Sequence, residues 1–280
     1  MKKILAAPFR LLAAMDWPAR IGALIVLIYV IVAVFAPLLA PFGEAEVVGS
    51  QYDPWTSVHL LGTDNIGRDM LSRVIYGARN TIAIAIIATI LAFLVGCSFG
   101  FTAAVIGGKV DVVISRVNDL FMAIPLLIFA LMLLTVFGSS IAVLIIIIAL
   151  LESTRVYRVA RALAMNVVVA DFVEQAKLRG EGLWWIATRE ILPNTIPPLT
   201  AEFGLRFCFV FLFISAMSFL GLGIQPPTAD WGAMVRDNAT LIGFGDITPL
   251  IPAGAIAVLT VAVNLVVDWF LHRASGLKEV

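Results

Sequence analysis

Six nearly unbroken apolar stretches constrain this chain more than anything else in it. They fall at roughly 21–41, 80–106, 112–137, 140–164, 195–224 and 247–271. Each is about 20 residues or longer, the length a helix needs to cross the hydrocarbon of a bilayer. Composition agrees: 61% of residues are hydrophobic and 14% charged, with a mean hydropathy of +1.02. A soluble domain sits nearer half apolar and a quarter charged. The reading is an all-α membrane protein with six transmembrane helices. The first run, Ile21 to Ala40, is longer than a signal-peptide core and has no clean small-x-small cleavage site after it, so it reads as a retained span.

Lysine and arginine set the expected sidedness. Lys2, Lys3, Arg10 and Arg20 precede span one, and Arg155, Arg158, Arg161, Lys177, Arg179 and Arg189 cluster between spans four and five. The loops after spans one and five lean acidic. Positive-inside bias therefore puts both termini and the segment Asp171–Asn194 in the cytoplasm, and the two acidic loops outside. The formal net charge is zero and no basic patch is interleaved with stacking aromatics, which argues against nucleic acid as a partner.

Asp171–Asn194 is the longest charged segment. Phe172, Val173, Ala176, Leu183, Trp184 and Ala187 recur at helical spacing, while Gly180 and Gly182 break the pattern. The expectation is one amphipathic helix ending in a glycine turn, then a second, short one stopped by Pro193. In the loop Leu61–Arg79, Thr63 or Asp64 is placed to cap a helix whose apolar face carries Met70, Leu71, Val74 and Ile75, lying at the outer leaflet. In Ser218–Met234, Pro226-Pro227 forbids helix and Trp231 is expected at headgroup level.

Polar residues within or near the spans are Arg116, Asn118, Asp119, Glu202, Arg206, Asn264 and Asp268. Intramembrane charge points to a pathway or to a pair inside the bundle. Glu202 and Arg206 are four apart and can pair along one helix face, and structural pairing is favoured over substrate contact. Gly107-Gly108-Lys109 fails the phosphate-loop pattern, because Val110 stands where a hydroxyl is needed and Ala103 where the first glycine is. The two histidines and two cysteines make no catalytic constellation or metal-ligand spacing, and Cys97 and Cys208 read as small buried apolar residues.

Three of these stretches, in order and in register, resemble the permease subunit of a bacterial ABC importer. The nearest subgroup is the C-type subunit of dipeptide, oligopeptide and nickel systems. Glu174, Ala176, Gly180, Ile191, Leu192 and Pro193 are similar to its cytoplasmic E-A-A motif, with departures at Gln175 and Glu181. Leu61–Arg79 resembles L-G-T-D-x-x-G-R-D-x-x-S-R-x-I-Y-G-A-R, and Ser218–Met234 resembles S-F-L-G-L-G-x-Q-P-P-x-x-x-W-G-x-M.

The resemblance implies a type I ABC importer permease fold, with a coupling helix between helices 4 and 5. It implies residues 1–78 as cytoplasmic tail, first span and external loop, 79–274 as a five-helix core with its coupling segment at 171–194, and 275–280 as a cytoplasmic tail. The chain would be a transport subunit rather than an enzyme. Its partners would be a B-type permease subunit, two cytoplasmic ATPase subunits holding ATP and Mg, an external solute-binding protein, and membrane lipid. It would hold no cofactor of its own. Asp64, Arg68, Asp69, Asp230 and Trp231 are candidates on the outer loops, either to meet the binding protein or to shape the vestibule. Short peptides are the commonest cargo of the subgroup; nickel complexes, opines and oligosaccharides are alternatives. A self-sufficient secondary transporter or channel is the alternative of another class, although no internal repeat supports it.

Overall fold

The computed structural model describes residues 15–275. Residues 1–14, with Lys2, Lys3 and Arg10 of the expected tail, and 276–280 lie outside it. Among the described residues there is no strand, only isolated bridges at Val47–Arg68 and Thr63–Asp69. The helices are α1 (Trp17–Val34), α2 (Ala36–Leu39), α3 (Met70–Ile106), α4 (Gly108–Ala123), α5 (Leu126–Phe137), α6 (Ile141–Val168), α7 (Asp171–Leu178), α8 (Leu183–Phe219), α9 (Trp231–Asn238) and α10 (Leu250–Ser275).

Four helices, α1, α3, α8 and α10, are long and apolar enough to cross a membrane, and five if the bent pair α4–α5 counts as one span. The expected third span is thus broken. α4 and α5 meet at 87° across Ile124–Pro125, because proline has no N–H for the helical ladder and pushes the residue before it out of the α region. α6 has the length of a span, at 28 residues, but carries Glu152, Arg155, Arg158 and Arg161.

The chain divides into two compact units, one holding the described residues up to Ala83 and from Phe211, the other Ile84–Val210. In the first, α1 lies along α10. Gly22 permits this approach, since a Cβ there would sit 2.6 Å from the Ala262 carbonyl oxygen. Tyr29 donates to the Ala255 carbonyl at 3.2 Å.

The loop before α3 is a knot of polar contacts, and Met70, Leu71, Val74 and Ile75 lie in the first turns of α3 rather than in a separate helix. Asp64 Oδ1 accepts from the Ile66 and Arg68 amides, both at 3.0 Å, and its Oδ2 accepts from Arg68 Nε at 2.7 Å and lies 3.3 Å from Arg73 Nε. Asp69, not Thr63 or Asp64, caps the helix: its Oδ2 accepts from the Ser72 amide at 2.8 Å and hydroxyl at 2.7 Å. α3 starts at Met70 and runs unbroken through the apolar stretch, so the expected boundary at 78/79 falls inside it.

In the second unit α3 meets α6 through two glycines one turn apart. A Cβ on Gly96 would sit 2.6 Å from Val156 Cβ, and one on Gly100 would sit 2.9 Å from the Arg161 amide nitrogen. This small-x-x-x-small seam lets two helix backbones come close where lipid offers no hydrophobic drive to association.

Candidate functional site

The segment from α7 into α8 begins with Val169 and Ala170, which turn the chain out of α6. α7 follows with Asp171 and Glu174 in its first turn and Lys177 in its last, a charge order that suits the helix dipole. It ends in a Schellman turn. Gly180 takes φ +81, its amide donates to the Lys177 carbonyl at 2.9 Å, and the Glu181 amide donates to the Ala176 carbonyl at 3.1 Å. No atom lies within 4 Å of where a Gly180 Cβ would be, so glycine is required there by the backbone and not by packing.

One face of this segment is seated and the other is bare. Val173, Ala176, Ile186, Ala187 and Ile191 join a buried cluster with Ala160 and Ala164 of α6, Phe101 of α3 and Leu199. Phe172, Glu174, Gln175, Lys177, Leu178, Arg179 and Trp184 are exposed, Leu178 by 82% and Trp184 by 74%. The bare face thus mixes charged and large apolar side chains.

Pro193 does not stop the second helix as expected. α8 continues through it to Phe219 because a π-helical turn at Ile186–Ile191 precedes it, with the Leu192 amide donating to the Ala187 carbonyl five residues back. Pro197 and Pro198 are also accommodated, and the Thr195 and Thr200 hydroxyls donate to the carbonyls of Ile191 and Ile196, at 3.0 and 2.6 Å. Of the six coupling candidates, Ala176 and Ile191 are buried in the seat, while Glu174, Gly180, Leu192 and Pro193 are exposed.

The pair Glu202–Arg206 is present along α8, and it is larger than its spacing suggested. Arg206 Nη1 also donates to Glu152 Oε2 of α6 at 2.9 Å, and Glu152 is 1% exposed. Arg155 Nη1 lies 3.6 Å from the other Glu152 oxygen. The sequence carries one signal for Glu152, a single acid in the middle of an apolar run, but its partner Arg206 lies 54 residues away. Arg116, Asp119 and Asp268 are exposed on this chain and belong to no such cluster.

The outer-loop candidates Asp64, Arg68, Asp69, Asp230 and Trp231 are all buried within the chain. Gly77 makes room for the Trp231 indole: a Cβ there would sit 2.7 Å from Trp231 Cδ1. Its Nε1 donates to the Val74 carbonyl at 2.9 Å, and Tyr29 and Phe211 meet the indole at 88° and 89°. A buried indole with its N–H satisfied keeps its full packing gain. Asp230 caps α9, accepting from the Ala233 amide at 2.9 Å and from the Thr81 hydroxyl at 3.0 Å, and burial pushes its carboxyl above the usual carboxylate range.

Residues 96–275, which hold the α3–α6 seam, the seated segment and the buried ion cluster, match the model of a family described as the inner membrane component of binding-protein-dependent transport systems. The chain belongs to that family. Curated relatives extend the match beyond this region. The chain is 32% identical over 257 residues to the dipeptide transport system permease protein DppC of Haemophilus influenzae, covering 89% of this chain and 87% of that one. It is 30% identical to the probable D,D-dipeptide transport system permease protein DdpC of Escherichia coli, covering 88% and 83%. It is 28% identical to the glutathione transport system permease protein GsiD of Pectobacterium atrosepticum, again covering 88% and 83%. The chain is an ABC transporter permease of the inner membrane, and its helices are those of a transport component.

Proposed function

We propose that this permease moves di- or oligopeptides inward from an external binding protein by alternating access, driven by ATPase subunits that grip α7. The observation that carries this is the two-faced seat of α7. Val173 and Ala176 fix it to α6, while Phe172, Glu174, Leu178 and Trp184 stay exposed for a partner. A closing motion of the partner then acts on α6 and α8 together. On this reading Glu174, Ala176, Gly180, Ile191, Leu192 and Pro193 belong to the coupling segment 171–194, and ATP and Mg bind only in the partners.

The bilayer is crossed six times, by α1, α3, the bent pair α4–α5, α6, α8 and α10, with both termini in the cytoplasm. α6 crosses because Glu152 is neutralised within the protein. Residues 79–274 form the core shared with a B-type permease subunit. Peptide cargo is supported by the similarity to dipeptide transport permeases, and glutathione by the similarity to one glutathione transport permease.

The test is uptake of labelled dipeptide into proteoliposomes carrying the permease pair, the ATPases and internal ATP, with the binding protein outside. ATP-dependent accumulation is expected. Accumulation by this chain alone, without ATPases, would instead make it a secondary transporter. Nickel-complex, opine and oligosaccharide arms of the same assay decide the cargo.

A further inference from the structure

α4 is a rigid helix between two breaks. At its start Gly107 and Gly108 both have positive φ, +64 and +56, and no atom lies within 4 Å of the place where either Cβ would be. At its end the chain bends by 87° at Ile124–Pro125. Between these breaks two polar ties hold α4 to α6. Arg161 grips Asp111 with two parallel bonds, Nε to Oδ1 at 2.5 Å and Nη2 to Oδ2 at 2.6 Å. One helical turn further on, the Ser115 and Tyr157 hydroxyls share a hydrogen bond of 2.8 Å. The steps 111 to 115 and 161 to 157 run in opposite directions, so the ties follow one antiparallel seam. A bidentate arginine–carboxylate pair fixes orientation as well as distance.

Arg161 sits where the coupling segment is seated. Ala160 and Ala164, on the same turn of α6, belong to the cluster that holds Val173, Ala176 and Ile186. Gly100 of α3 closes on that turn at the Arg161 amide. α4, α5 and α6, with the far half of α3, also enclose a groove of about 720 Å³ whose walls are almost wholly apolar, among them Phe99, Val117, Phe121, Phe129 and Ile147.

We infer that Asp111 and Arg161 are positioning residues for transport: their ion pair makes α4 ride on α6, so a displacement of the coupling segment reaches the walls of this groove. The two glycines and the proline bend absorb the rotation at either end of α4. The pair is a permanent strut, intact through the cycle, and not a latch that must open. This rests on the coupling reading of α7 given above.

The experiment uses the full complex in proteoliposomes and reads dipeptide uptake per ATP hydrolysed. Asp111→Arg and Arg161→Asp each lower that ratio by about ten-fold or more, the scale of losing a charge-assisted bidentate pair, while ATP is still hydrolysed. The double reversal Asp111→Arg/Arg161→Asp returns it to within about three-fold. In a Cys97→Ala/Cys208→Ala background, Asp111→Cys/Arg161→Cys lowers the ratio, and a short thiol cross-linker restores it.

Single variants that transport normally, or a reversal no better than its parents, overturn the inference. So does a cross-link that blocks uptake, since a strut tolerates tethering and a latch does not. If the single variants fail to assemble, the cross-link arm alone decides. Absence of ATP-dependent uptake in the wild-type complex would overturn the coupling reading, and this inference with it.

Discussion

Arg206→Met is the perturbation whose cost the structure defines best. Arg206 is buried between Glu152 of α6 and Glu202 of α8. Its removal strands the Glu152 carboxylate, 1% exposed, with only the half-exposed Arg155 at 3.6 Å. Breaking one side of a buried ion pair typically costs about 3–5 kcal/mol, because the remaining charge stays desolvated and unpaired. At about 2–4 °C per kcal/mol for a chain of this size class, Tm falls by roughly 6–20 °C.

Most of that loss belongs to the stranded charge and not to the missing side chain. Glu152→Gln/Arg206→Met removes both charges and is therefore more stable than Arg206→Met alone, with a coupling energy of about 2 kcal/mol or more. Thermal unfolding of the purified permease pair in lipid nanodiscs, for wild type, both single variants and the double variant, measures this. An Arg206→Met variant within 2 °C of wild type, or a double variant no better than it, would refute the reasoning.

Three further outcomes are expected. Gly180→Val places a β-branched residue at positive φ at a strain of about 1–3 kcal/mol without any clash, so uptake per ATP falls while membrane insertion is kept; Gly180→Asn, which tolerates that region, transports nearly as wild type. Gly77→Leu drives a side chain into the Trp231 indole and destabilises by about 1–3 kcal/mol, seen as a lower Tm and an increased tryptophan emission wavelength. Asp230 binds its proton more tightly folded than unfolded, so its contribution to stability is greatest below the unfolded pKa of about 3.9 and declines as pH rises from there toward the elevated folded value. Asp230→Asn keeps a capping oxygen and removes that decline; a pH series of Tm with the same slope for both proteins would count against it.

Much of this protein was written locally. Unbroken apolar runs can only be satisfied as helices in hydrocarbon, so the class of the fold followed from the runs themselves. Gly180 ended α7 as its spacing required, because a Schellman turn involves only six consecutive residues. The i,i+4 pair Glu202–Arg206 was legible for the same reason. The motifs at 61–79, 171–194 and 218–234 were sufficient for the family.

What tertiary structure decided are the contacts whose two halves lie far apart in the chain. Trp231 is buried because Gly77, 154 positions earlier, opens a slot for its indole. The loop motif's Asp64, Arg68 and Asp69 bond locally, Asp64 to Arg68 and Asp69 to Ser72, but Arg73, which also reaches Asp64, ties the loop to the Pro227 carbonyl, 154 positions on, at 3.3 Å. Pro193 and Pro125 carry the same local chemistry, a missing N–H, yet one is absorbed by a π turn and the other bends the chain by 87°. A proline specifies only that a hydrogen bond is lost; the packing of the flanking helices determines whether the backbone reroutes or breaks. Asp111–Arg161 and Glu152–Arg206, pairs 50 and 54 residues apart, likewise exist only once α4, α6 and α8 are assembled. Charge in an apolar span has to find a partner, but the span alone does not name it.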